Sequence, residues 1–90
     1  MRDLLKKEMA NFLFYNFWVL IMDENVKKAE YYYKKGVEIG NKGDVEKALE
    51  YFNKAIKLNP FYIDAWFNKA LALRILGRYE EARKCFFLEV

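Results

Sequence analysis

Ninety residues make one small domain, and a chain of that length buries only roughly 60–65% of its extended surface on folding, so its stability margin is thin. Apolar residues make up 54% and aromatics 19%, while 16 basic and 13 acidic residues mix along the chain to a net charge of +3, which excludes the basic stripe of a nucleic-acid footprint. Ser, Thr, His and Gln are absent altogether, so hydroxyl nucleophiles, imidazole bases and histidine ligands are excluded and no enzyme, metal or cofactor site is expected.

From Phe12 to Met22 only Asn16 is polar, so a helix here is apolar around its whole circumference instead of along one stripe. Three readings compete for it: a buried packing helix, a membrane or signal segment, and a docked partner motif. A membrane span needs about 20 apolar residues, and a cleaved signal would not carry Asp3 and Glu8 in its lead or Asp23-Glu24 behind its apolar core. The packing helix is therefore the expected one, over residues 1–28, and no membrane partner is expected.

Asp23, Glu24 and Asn25 interrupt the apolar run and offer caps for a new helix from about residue 26 to Asn41, which the pair Gly40 and Gly43 is expected to end. Asp44 follows as an N-cap. The next helix, Val45 to Leu58, carries Ala48, Leu49, Phe52, Ala55 and Ile56 on one face. Asn59 and Pro60 stop it, because proline disfavours helical dihedrals before it and cannot donate to the ladder. Residues 62–75 form another helix with Trp66, Ala70 and Leu73 inward, Gly77 marks a turn, and Tyr79 to about Glu89 form the last. No segment reads as strand. Cys85, the one cysteine, cannot make an internal disulfide and is read as a small apolar filler, which fits a reducing, cytoplasmic setting.

The two helical pairs repeat with a shift of 34 residues. Tyr32 answers to Trp66, Lys35 to Lys69, Gly36 to Ala70, Gly43 to Gly77, Ala48 to Ala82 and Phe52 to Phe86. A period of that length marks a helix-turn-helix unit that stacks on copies of itself, since one unit cannot cover its own apolar face. The expected fold is all-α, a helical-repeat solenoid of about five helices. Small residues at Gly36, Ala70, Ala48 and Ala82 let paired backbones approach to about 8 Å.

On those residues, and on the closing Leu58-Asn59-Pro60, the first unit resembles a tetratricopeptide repeat; Trp66, Ala70, Gly77, Tyr79, Glu80, Glu81, Ala82 and Phe86 look like a second copy. The repeats then occupy 29–62 and 63–90. The resemblance implies a non-catalytic scaffold that binds a protein or peptide in the groove lined by the first helix of each repeat. Carried onto this chain, the groove candidates are Glu30, Tyr33, Lys34, Val37 and Asn41, then Asp64, Phe67, Asn68, Leu71 and Ile75; the bland alternative is an ordinary solvated helix face. The carboxylate clamp found in part of that family is not expected, because Tyr33, Val37 and Asp64 stand where it needs lysine, asparagine and a basic residue, and only Asn68 matches. Two repeats are fewer than a stable stack usually needs, so apolar ends at Phe14, Phe17, Trp18, Ile21, Phe86, Phe87 and Leu88 are expected to be covered by a second copy, as a twofold dimer. The alternative is an adaptor docked on a membrane through its N-terminal run.

Overall fold

The computed structural model describes the backbone of residues 2–87 and the side chains of Asn16, of residues 18–20 and of residues 22–86. Among the described residues there are four helices and no strand: α1 (Arg2–Asn41), α2 (Val45–Leu58), α3 (Ile63–Ile75) and α4 (Tyr79–Phe87). They form two antiparallel hairpins, α1–α2 and α3–α4, with α2 packed on α3 between them. The all-α repeat architecture is as expected, but the helix count is not.

The N-terminal helix and the first helix of the first repeat are one continuous helix of 40 residues. Asp23, Glu24 and Asn25 do not break it, and the expected boundary at residue 28 falls inside it. The physical reason lies in what the segment lacks: residues 2–35 contain neither glycine nor proline, and acidic residues cost a helix interior well under 1 kcal/mol each. Instead of capping a new helix, Glu24 pairs with Lys28 across one turn (3.7 Å), as Glu30 does with Lys34 (3.0 Å) and Glu38 with Lys42 (3.4 Å).

Both hairpins turn by the same device. At the end of α1, Gly43 takes φ 101° while its N–H donates to Gly40 O (2.9 Å), and the Asp44 N–H donates to Ile39 O (3.3 Å). At the end of α3, Gly77 takes φ 79°, its N–H donates to Arg74 O (3.0 Å), and the Arg78 N–H donates to Leu73 O (2.8 Å). This is a left-handed glycine cap closing the orphan carbonyls of each helix, repeated at the 34-residue period. The Asp44 carboxylate then accepts from the Lys47 N–H at 3.1 Å, the expected N-cap. Gly40, expected to help end the helix, lies within it; a Cβ there would sit 3.4 Å from the Ala48 Cβ, so this position serves close approach of α1 to α2. Between repeats, the Asn59 side chain accepts from the Phe61 N–H (3.2 Å) and the Trp66 indole donates to Pro60 O (2.7 Å), which ties the proline turn to α3.

The core is built from small residues with a few large ones wedged among them. Ala48, Leu49, Phe52, Ala70, Ala72, Leu73, Ala82 and Cys85 form one buried cluster, and Ala29, Ala55 and Ala65 a second, with Tyr32 and Tyr62 packed against it. Gly36 faces the Phe52 ring so closely that a Cβ would lie 2.7 Å from Phe52 Cε1. Cys85 is buried, and its Sγ–H points to Glu81 O at 3.4 Å.

The N-terminal run, expected to be buried, is not covered by its own chain where it is described: Leu20 is 68% exposed and Met22 59%, with Trp18, Val19 and Val26 also exposed. The reason is length. A helix of 14 residues spans about 21 Å and one of 40 about 60 Å, so α2 can face only the last third of α1. The molecule's long axis of 62 Å is α1 itself. The side chains of Phe14, Phe17, Ile21 and Phe87, and the whole of Leu88, lie outside the described residues; Phe86 is half exposed.

Candidate functional site: the cleft between α1 and α3

Residues 30, 33, 34, 37 and 41 recur at three- and four-residue spacing on α1, and 64, 67, 68, 71 and 75 do so on α3, so each set follows one helix face. The structure brings five of the ten together. Val37, Asn41, Asn68, Leu71 and Ile75 line a cleft of about 180 Å³ whose floor is Gly36, Gly40, Val45, Ala48, Phe52 and Ala72. A sixth is tied to them: the Asn68 side-chain amide donates to the Tyr33 hydroxyl at 2.8 Å, across the two helices. Tyr33 is itself held between Phe52 (ring centroids 6.0 Å) and Tyr62 (5.0 Å).

The remaining four lie elsewhere. Glu30 and Lys34 pair with each other on the exposed side of α1, and Asp64 is exposed at the start of α3. Phe67 is half exposed and turns toward α4, where its ring meets Phe86 edge-on at 6.1 Å. Burial pushes the Tyr62 hydroxyl pKa up, and Glu30, Tyr33 and Asp64 add to the shift.

The floor residues were legible only as packing positions. Their second use follows from repeat stacking: α3 leans on α2 and touches α1 only lightly, so that the small residues of α1 and α2, though largely buried, lie at the bottom of a furrow. On the opposite face, α2, α3 and α4 enclose a basic concavity of about 400 Å³ that includes Lys69, Arg78 and Lys84. Two of these cations are already engaged. Lys69 lies over the Trp66 ring (5.2 Å) and Arg78 pairs with Glu81, whose carboxyl it holds below its ordinary range. No helix among the described residues is long and apolar enough to cross a membrane.

Two family models described as tetratricopeptide repeat match the chain, one over residues 29–62 and one over 51–84, and together they run from the second half of α1 into α4. An uncharacterized protein of Methanocaldococcus jannaschii is 92% identical over 66 residues, covering 73% of this chain and 77% of that one. The photosystem I assembly protein Ycf3 of Acaryochloris marina is 37% identical over 49 residues, covering 54% of this chain and 30% of its own. A tetratricopeptide repeat protein 36 homolog of Nematostella vectensis is 37% identical over 60 residues, covering 67% of this chain and 33% of its own. The chain thus spans about a third of the length of these last two relatives. No solved structure matches it. With the glycine caps and the aromatic and small positions recurring at 34 residues, and two tetratricopeptide-repeat models matching across them, the chain belongs to the tetratricopeptide-repeat family and is built as a protein-interaction scaffold.

Proposed function

We propose that this scaffold captures an extended or helical peptide segment of a protein partner in the α1–α3 cleft, without catalysis, in the cytoplasm, and that it self-associates. The observation that carries the reading is the Tyr33–Asn68 bond spanning the mouth of a furrow whose walls are Val37, Leu71 and Ile75. Apolar walls supply affinity, while the Asn41 and Asn68 amides can pair with a peptide backbone. The exposed Asp64 carboxylate, near Tyr62 and so near the Tyr33 end of the cleft, favours a segment with an apolar anchor followed by Lys or Arg.

Selection from a displayed peptide library on the immobilised chain tests this. Enrichment of apolar-basic sequences, abolished by Leu71→Glu and by Val37→Glu, is the expected outcome. Enrichment that survives both substitutions, or none at all, removes the groove from the account.

A second reading has its own support in the exposed Leu20 and Met22: the N-terminal run docks the module on a membrane or a membrane complex. Flotation with liposomes separates the two, because only an anchor follows the lipid. The similarity to a photosystem I assembly protein supports a partner that is itself a protein.

A further inference from the structure

A shift of one repeat lays a covered surface of this protein on an uncovered one. In the first repeat, Val37, Val45, Ala48 and Phe52 form the seat on which α3 rests, and Phe52 is 4% exposed. Their counterparts 34 residues on are Leu71, Tyr79, Ala82 and Phe86, at the outer face of α3 and α4, and Phe86 is 50% exposed. Two shallow concavities of about 260 and 360 Å³ run across that face, meeting at Arg74 and Tyr79. The seat is shaped for one more helix, and none of the described residues fills it.

The same chain carries a helix that lacks a seat. α1 projects beyond α2 for roughly 25 residues, about 38 Å. Its run from Phe12 to Met22 has Asn16 as its single polar residue, and Asp23-Glu24 follow directly. Resting on the self-association reading above, we propose that the projecting part of α1 from one copy lies on the α3–α4 end face of a second copy, and that the exchange is reciprocal and closes a twofold dimer.

Charge selects this occupant over the simpler one. Arg74 makes no ion pair among the described residues, and Arg83 on the same face pairs only with Glu80. Two end faces set against each other would oppose these guanidinium groups to their own copies, whereas the α1 segment brings the exposed Asp23 carboxylate to them, Glu24 being paired with Lys28. Area points the same way. Three or four large side chains at roughly 150–250 Å² each contribute about 450–1,000 Å² per contact from the segment's side, so two contacts contribute about 900–2,000 Å², comparable with the roughly 1,200–2,000 Å² typical of stable pairs. Reciprocity also closes the assembly, where a one-way contact would run on into filaments.

The test uses the full chain in sedimentation and light scattering. Wild type is expected as a dimer at micromolar concentration. A variant with Leu20→Glu and Met22→Glu, and another with Tyr79→Glu and Phe86→Glu, are each expected as monomers with helical circular dichroism retained. Mixed together they regain one intact segment and one intact face, so a one-to-one heterodimer appears as concentration is raised; an interface made of like surfaces could not be rescued in this way. Asp23→Arg and Arg74→Asp should each weaken the dimer by about two- to fivefold, the range for exposed pairs, and together restore it. A dimer that survives either double substitution, or a mixture that yields no heterodimer, overturns this interface and leaves self-association standing. A monomeric wild type, including one that floats with lipid, overturns both.

Discussion

Gly36 and Gly40 sit one helical turn apart on α1, and the distances to α2 assign them opposite responses to the same substitution. Alanine in a helix interior gains about 1 kcal/mol over glycine. At Gly40 the new Cβ would meet Ala48 at 3.4 Å, an ordinary contact, so Gly40→Ala should raise stability by about 0.5–1 kcal/mol. At Gly36 it would meet the buried Phe52 ring at 2.7 Å, and overpacking of about 1–3 kcal/mol exceeds the propensity gain, so Gly36→Ala should lower stability. Urea titration of the two variants checks both signs. Cys85 supplies a pH signature: burial pushes its thiol pKa up, against the opposing field of Lys69. The folded pKa then lies above the unfolded one, so the stabilisation is complete at neutral pH and is lost as pH rises from about 8.5 through the folded value. Cys85→Ala should flatten that alkaline fall, read as denaturation midpoints between about pH 8 and about pH 10.

The long helix α1 has two halves with different support. Its last third is held by α2 and by the Phe52, Tyr33 and Gly36 contacts, while Asp23 and Glu24 lie exposed in the stretch before it. Asn25→Pro removes a backbone donor and disfavours helix before it, and should cost about a quarter of the helical circular dichroism signal and abolish the dependence of the melting temperature on protein concentration. Phe52→Ala is the contrasting case. Phe52 floors the cleft, seats α3 and packs against Tyr33, so its truncation should cost about 3–5 kcal/mol. Against a total of about 5–15 kcal/mol for a folded domain, that loss removes a large share of the stability, and a thermal melt should record a strongly lowered midpoint.

A protein 62 Å long and 13 Å in its smallest dimension has little interior, and seven of the eleven buried hydrophobic side chains among the described residues are alanine. Two repeats leave outer faces that a longer stack would cover internally, and the apolar run of α1 adds a third uncovered surface. Stability of such a molecule is coupled to whatever covers those surfaces. Its melting temperature should therefore rise with protein concentration, because association favours the folded state by mass action. A melting temperature constant over a hundredfold range of concentration would count against self-association.

Spacing and residue size were enough to read the repeat, the two turns and the N-cap, because these depend on interactions within five residues: a glycine that tolerates positive φ at positions 43 and 77, an aspartate reaching the amide three residues on at 44, a proline ending a ladder at 60. Five of the ten groove candidates line one cleft because the helical period fixes positions 37, 41, 68, 71 and 75 on their faces. What the chain order could not reveal is how far each face is covered. Asp23-Glu24-Asn25 resembles a helix start locally, yet with no breaker beside it the helix runs through, and the shortness of α2 then leaves Leu20 and Met22 in water. Phe67 and Asn68 are neighbours in sequence, but only the crossing of α3 over its partners sends one to Phe86 and the other to Tyr33. Burial is a property of pairs of surfaces, and the second surface of each pair is supplied by tertiary packing.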